Sequence, residues 1–384
     1  MIVLPSLLDT DFYKLTMQQA VLEHYPNTNV KYKFTNRKAQ ETHFSSEFAK
    51  ELMASINATS NLRLTKSEKK WLQEKYAFLK PQYIEYLSNY EFDPSEIDFS
   101  VNDGKLELGI SGPWHRTILW EVPLMAIISE LHGQFTADQW NYDGQEAKIV
   151  QKGSALAAEG CKFADFGTRR RRSYFTQDLV VKNLMLFNNC VGTSNVHLAQ
   201  KYNLRAIGTQ AHEWVMGVSA LESLRHANRF AMQKWCDTYG ANLGTVLPDT
   251  FGIKAFFDDF TLYYASLFDS IRHDSGDPFK FTDKVIAHYK KLNIDPNSKT
   301  IIFSDGLNVE LAIELNRYCS GKIKCAFGIG TNFTNDFATK SLNMVIKLYS
   351  VDGIPVVKLS DEPTKATGDK KAVEVAKWTF GIEE

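Results

Sequence analysis

Seven short stretches hold the residue types that do chemistry: DFGTRRRR (Asp165 to Arg172), VGTSN (Val191 to Asn195), IGTQAHEW (Ile207 to Trp214), LPDTFG (Leu247 to Gly252), RHDSGDP (Arg272 to Pro278), FSDG (Phe303 to Gly306) and FGIGTN (Phe327 to Asn332). Each taken alone is ordinary turn chemistry, since Asp-Gly and Gly-Thr are common loop pairs. His212 is the centre of the set. It follows a short apolar strand and a Gly-Thr turn and stands where a helix begins. The exposed amides and positive dipole end of a helix start hold anions, so an imidazole there is placed to take, hold and pass on a phosphoryl group. The plainer alternative is a histidine that only caps or packs.

The other loops divide by chemistry. Asp305 and Gly306, and Gly328 and Gly330 with Thr331, end the last two expected strands, where barrels often bind phosphate through backbone amides. A phosphorylated sugar suits them. Asp249, Asp274 and Asp277 can hold ribose hydroxyls or a hydrated magnesium ion, which prefers a few carboxylates plus substrate oxygens. Arg169 and Arg272 carry the planar fork that matches a carboxylate or a pyrophosphate. For the run Arg169 to Arg172 the alternative is a solvated basic patch.

These loops need strands to end in phase. Candidate strands are Phe163 to Phe166, Cys190 to Gly192, Leu204 to Gly208, Thr245 to Pro248, Ser270 to Arg272, Thr300 to Phe303 and Lys324 to Phe327, with amphipathic helices between them. About seven such units imply an α/β fold whose parallel sheet closes, or nearly closes, into an irregular barrel with its site at the C-terminal strand ends. One long helix is expected from Ala211 to Tyr239. The chain before it reads as an α+β module: a capped helix over Asp9 to His24 carrying Phe12 and Tyr13 as exposed-looking aromatics, a strand from Val30 to Asn36, two or three helices between Lys50 and Tyr90, and a hairpin around Asn102-Asp103-Gly104. A second hairpin, turning at Asp352-Gly353, follows Asn343. The expected division is therefore an N-terminal α+β domain, 1–123, joined by 343–384, and a barrel domain, 124–342.

Composition narrows the partners. The 384 residues are 44% hydrophobic and 23% charged with a formal net charge of -1, which offers no global attraction to nucleic acid or to an acidic membrane. The five cysteines are scattered without CxxC spacing, against a disulfide framework or a zinc site and in favour of a reducing, cytoplasmic setting. The start MIVLPSLLDTDFYK lacks the basic region of a signal peptide, and no apolar run is long enough to span a bilayer.

DTDFYKLTMQ (Asp9 to Gln18), DFGTRRRRS, GTSN, GTQAHEW, DTFG, RHDSGDP, FSDG and FGIGTN, in that order, resemble the nicotinate phosphoribosyltransferase family. The resemblance implies an enzyme of NAD salvage that joins nicotinate to 5-phosphoribosyl-1-pyrophosphate with magnesium, coupled to ATP hydrolysis through a phosphohistidine, and a homodimer with shared sites. By motif, His212 would be the phosphorylated residue and Asp249 would orient it. Phe166, beside Gly167 and Arg169, would face one side of the pyridine ring, and Tyr13 of the partner subunit the other. Arg272 would lie near the nicotinate, Ser194 near its polar edge and Asp274 at the ribosyl group, with Asp305, Gly306, Gly328 and Gly330 cradling the 5-phosphate. Quinolinate phosphoribosyltransferases share the barrel type but need no phosphohistidine, so GTQAHEW counts against them. Nicotinamide phosphoribosyltransferases are closer, and the neutral Ser194 favours the acid. A nucleic-acid binder would need a broader basic patch than one tetrad.

Overall fold

The computed structural model describes residues 1–136, 141–361 and 366–382. The strands are β1 (Asn29–Asn36), β2 (Ile97–Asn102), β3 (Lys105–Pro113), β4 (Phe163–Asp165), β5 (Cys190–Thr193), β6 (Thr245–Val246), β7 (Ser270–His273), β8 (Thr300–Phe303), β9 (Lys324–Ile329), β10 (Met344–Val351) and β11 (Ile354–Pro355). The chain forms two compact units. One comprises Met1–Ala155, Ala164–Gly208 and Ile329–Lys347, the other Leu156–Phe163, Thr209–Gly328 and Leu348–Glu384.

In the first unit an antiparallel sheet has the order β10-β1-β3-β2. Alternation in β1 turns Val30, Tyr32 and Phe34 inward. The β2–β3 hairpin pairs Asn102 with Lys105 across Asp103 and Gly104, both at positive φ (50° and 74°), as a tight hairpin turn demands. The helices Phe12–His24 and Glu121–Phe135 are buried on nearly every side, the mark of interior helices. Phe12 and Tyr13 are thus core residues, 1% and 7% exposed, and not the exposed aromatics expected. The region between Lys50 and Tyr90 holds the expected helices, Ser46–Thr59, Lys66–Lys75 with a Thr65/Glu68 capping box, and Pro81–Ser88.

In the second unit β9-β8-β7-β6 form a parallel ladder, with Ile271 opposite Ile301 and Phe303 opposite Phe327. Helices Ile253–Asp259, Pro278–Lys291 and Val309–Cys319 follow β6, β7 and β8. This alternation brings successive strands in parallel and gathers their C-terminal loops at one edge. The expected α/β fold with an antiparallel accessory sheet is therefore present.

Three expectations need correction. Leu204 to Gly208 is not a strand: only Ala206 bridges to Thr193. Gly208, at φ 150°, lies so close to the Tyr13 backbone nitrogen that a Cβ would stand 2.9 Å from it. Ala211 to Tyr239 is not one helix but two, His212–Leu221 and Ala227–Tyr239. The first helix is capped at Glu222, whose N–H still reaches the Val218 carbonyl, and the two helices fold against each other, the Trp214 indole donating to the Ala231 carbonyl at 3.0 Å. Apolar periodicity runs through such a turn without registering it. The return strand of the second hairpin is only Ile354–Pro355, with the Val356 N–H still donating to the Tyr349 carbonyl at 3.0 Å, and a helix, Lys370–Phe380, capped by Asp369 and ended by Gly381, follows.

Candidate active site

The helix start at His212 has no side-chain cap from Ala211, and the His212 ring is not a cap either. It is 2% exposed, and its Nε2 lies 2.8 Å from Asp249 Oδ1. Asp249 follows β6. Its Oδ2 accepts from Ser275 Oγ at 2.6 Å and pairs with Lys358 Nζ at 3.0 Å. Asp274, directly after β7, places Oδ2 3.7 Å from the same His212 nitrogen. Its Oδ1 meets Arg272 Nη2 at 3.2 Å and Ser304 Oγ, just beyond β8, at 3.0 Å. Neighbouring parallel strands thus deliver their terminal residues to one imidazole.

Burial drives the His212 pKa down to about 4, against the pull of Asp249, so the ring is neutral at physiological pH. Burial opposes the charged form of Asp249, but His212 and Lys358 outweigh it and hold the carboxyl well below its usual range. Asp274 is likewise held low, Arg272 offsetting its burial. An ionised Asp249 can only accept, so the proton of His212 sits on Nε2. Nδ1 keeps its lone pair and is the nitrogen able to attack an electrophile.

A second cluster lies in the first unit. Asp165, ending β4, accepts from the Gly167 N–H at 2.8 Å, Thr193 Oγ1 at 2.7 Å and Gln177 Nε2 at 2.8 Å. It pins the loop carrying Phe166 and Arg169 to the one carrying Ser194. Burial lifts its pKa to about 6 despite these donors. Ser194 Oγ donates to Asp11 Oδ1 at 2.7 Å, and the Phe12 N–H donates to the Ser194 carbonyl at 2.8 Å, docking the Asp9 to Lys14 segment on the same loops. Arg169 faces Glu121 at 3.5 Å and Asp11 at 3.8 Å, and its guanidinium stands 5.9 Å from the Tyr13 ring centroid. Tyr13 thus meets Arg169 within the chain.

The basic tetrad is not a solvated patch. Arg170 donates to the Met344 carbonyl, Arg171 is fully buried in a two-pronged pair with Asp9 at 2.7 Å on each arm, and Arg172 is buried with its guanidinium 5.2 Å from the Phe337 ring. Asp277 caps the helix Pro278–Lys291, its Oδ1 accepting from the Phe279 and Lys280 N–H groups. Asp305 and the exposed Gly306 follow β8, and Gly328 lies on β9, its parallel neighbour. Gly330 belongs to the first unit, where a Cβ would stand 3.2 Å from the Phe166 carbonyl oxygen. Sequence reasoning missed Lys358, Ser275, Asp11 and the Asp9–Arg171 pair. Asp9 and Asp11 stand in a quoted motif and were within reach; Lys358, in an alternating hairpin, gave no signal.

Parallel β-α units whose strand ends surround a buried, neutral histidine with carboxylates and cations define an α/β enzyme. The chain matches the family described as nicotinate phosphoribosyltransferase (NAPRTase) over residues 161–384 and the N-terminal domain of that family over 8–129. It is 50% identical over 400 residues to the nicotinate phosphoribosyltransferase of Methanosarcina acetivorans, and 48% identical over 402 to that of Methanosarcina mazei, each match covering 99% of this chain and 98% of the relative. The crystal structure of nicotinate phosphoribosyltransferase from Porphyromonas gingivalis superposes with a TM-score of 0.96 at 39% identity, covering 99% of this chain and all of that one. The protein belongs to the nicotinate phosphoribosyltransferase family. No helix among the described residues is long and apolar enough to cross a membrane.

Proposed function

We propose that this enzyme joins nicotinate to 5-phosphoribosyl-1-pyrophosphate, giving nicotinate mononucleotide and pyrophosphate for NAD salvage, and drives the reaction with ATP through phosphorylation of His212. Family membership supports the transfer, and the observation that carries the ATP coupling is the buried His212 with Nε2 committed to Asp249 at 2.8 Å. Nδ1 attacks the γ-phosphorus of ATP, the N–P bond forms, and ADP leaves with the electron pair of the broken P–O bond. Asp249 fixes the ring and offsets the positive charge that develops on it. Water later attacks phosphorus and returns the electron pair to Nδ1. In the transfer step the pyridine nitrogen supplies its own lone pair to the anomeric carbon while the C–O bond to pyrophosphate breaks, so no general base is required.

The first unit's cluster serves the ring: Phe166 and Tyr13 as flat apolar walls, Arg169 and Ser194 as polar contacts. By family likeness Arg272 is assigned to the nicotinate, Asp274 to the ribosyl group, and Asp305, Gly306 and Gly328 to the 5-phosphate. Magnesium fits the donor set, since His212, Asp249 and Asp274 offer ligand atoms within 4.8 Å of one another. A hard ion favours the carboxylates, of which Asp274 is the more accessible and would hold it. When bound, it would neutralise phosphate oxygens. All five cysteines are free, which suits a cytoplasmic enzyme.

The direct test incubates the protein with nicotinate or nicotinamide, the pyrophosphorylated sugar and magnesium, with and without ATP. Formation of nicotinate mononucleotide, faster with ATP, is expected. A nucleotide formed only from nicotinamide overturns the reading.

Arg272 spans the Gln210 carbonyl (3.4 Å) and Asp274 (3.2 Å) with the two arms of its fork. Arg272→Lys keeps the charge but loses the fork, so nicotinate binding should weaken by about 1.5–3 kcal/mol, the range for a charged hydrogen bond. Unchanged Michaelis constants for nicotinate and for the sugar place Arg272 elsewhere.

A homodimer is part of the proposal, measurable by sedimentation velocity. Mixing inactive Tyr13→Ala and Arg169→Ala proteins under subunit exchange locates Tyr13. Because the two residues meet within one chain, each site of a heterodimer keeps one lesion and activity should stay low. Recovery to about a quarter of wild type, the statistical yield of intact sites in a two-fold dimer, assigns Tyr13 to the partner's site.

A further inference from the structure

We propose that Lys358 is the residue that balances the charge of the phosphoryl group on His212, its ammonium turning from Asp249 toward that group when it forms. The inference rests on the phosphohistidine reading above. Lys358 Nζ lies 3.0 Å from Asp249 Oδ2, the carboxylate that also holds His212, and the lysine side chain is 8% exposed.

The backbone around it is tied to the site's loops. Lys358 exchanges two backbone hydrogen bonds with Thr367, each 2.9 Å, and the Leu359 N–H donates to the Thr250 carbonyl at 2.7 Å, next to Asp249. Asp361 accepts from the Ile253 N–H at 2.9 Å, while its own N–H reaches Ser275 Oγ at 3.4 Å. Ser360 between them takes a left-handed conformation (φ 67°), a strain tolerated where surrounding contacts fix the chain. The segment Lys358 to Asp361 is thus fastened to the loops after β6 and β7, and it carries one cation to them.

Charge counting gives that cation its purpose. With His212 neutral, Asp249 and Asp274 stand against Arg272 and Lys358, and Asp361 acts on both Asp249 and Lys358, so the cluster carries no spare positive charge. A phosphoryl group adds about 1.5 to 2 negative charges. In a buried setting an uncompensated charge is expensive. Arg272 is held by Gln210 and Asp274, whereas a lysine is a compact point charge on a flexible four-carbon stem, able to change partner without moving its backbone. No bond to Lys358 forms or breaks. It acts on the His212 step only by its charge.

A lysine that merely held Asp249 in place would be replaceable by any donor, and this separates the readings. Lys358→Gln can still donate to Asp249 but carries no charge; Lys358→Arg restores the charge. Each is treated with γ-labelled ATP, and acid-labile phosphate and its lifetime are measured beside a thermal melt. The expected result is a drop of about tenfold or more in steady-state phosphoprotein for Lys358→Gln, the loss of one charge-assisted interaction, with Lys358→Arg recovering most of it. Label within twofold of wild type in Lys358→Gln, or equal loss in both variants, overturns the proposal. If Lys358→Gln folds poorly, Lys358→Ala is labelled with added butylammonium or butanol: rescue by the ammonium alone is expected, and an equal response to both overturns the assignment. An unlabelled wild-type protein overturns the phosphohistidine reading itself, and this inference with it, whereas a labelled wild type leaves only the lysine in question.

Discussion

Replacing His212 with Asn yields a protein that takes no acid-labile phosphate from ATP and hydrolyses none, yet still makes the mononucleotide slowly without ATP. The asymmetry follows from the geometry. Asn places its amide near the position of Nδ1 and falls short of Nε2, whose bond to Asp249 is 2.8 Å, and its amide nitrogen has no lone pair free to attack phosphorus. The phosphoryl acceptor is lost while the pyridine ring still brings its own nucleophile to the sugar. ATP should then no longer stimulate synthesis, because a ligand shifts an equilibrium only through a difference in affinity between two states. Filter-bound label after ATP treatment, assayed beside nucleotide formation by chromatography, checks both halves. Label persisting on His212→Asn removes His212 from this role. A companion measurement follows the ring by NMR: the pKa of His212 is held down to about 4 by burial, so its proton should stay off through neutral pH and be gained only as pH falls toward 4, well below the 6.5 of a free histidine.

Arg171→Met should destabilise the first unit by about 3–5 kcal/mol, the cost of leaving one member of a buried ion pair alone. Arg171 and Asp9 are both fully buried, joined by two hydrogen bonds of 2.7 Å, and Asn195 Nδ2 completes the Asp9 shell at 2.7 Å. Burial works against the Asp9 carboxylate, but Arg171 and these hydrogen bonds hold its pKa below the ordinary 3.8. The pair therefore contributes stability in full above pH 3.8, lost as pH falls through the lower folded value. Without Arg171 the burial of Asp9 is opposed only by Asn195 and His197, and its pKa rises. The variant then binds a proton more readily folded than unfolded, so its deficit against wild type should narrow as pH is lowered. Urea unfolding at neutral and mildly acidic pH measures this. The double variant Asp9→Asn, Arg171→Met should recover part of the loss, since removing both charges costs less than stranding one. A single variant as stable as wild type would refute the assignment.

Sequence alone settled what is local. Asp103-Gly104 makes the hairpin turn because the turn needs two residues at positive φ. Four strands of the parallel ladder and the start of the helix at His212 were legible because apolar runs and Gly-containing turns act within a few residues. The ordered motifs from Asp9 to Asn332 were enough for the family. Which charged group meets which was decided only by the tertiary structure. The helix end at Glu222, with Trp214 laid against Trp235, and the close approach of Gly208 to Tyr13 where a strand was expected are tertiary features, and no periodicity announces them. The four arginines in a row look alike in sequence, but one is sealed against Asp9 while Arg169 remains part-exposed among acids and Tyr13. Asp249, Asp274 and Lys358 converge on His212 because neighbouring parallel strands end side by side and a later segment is fastened across their loops. Distances along the chain of many tens of residues carry no local signal of such a meeting, for it is set by strand order and burial.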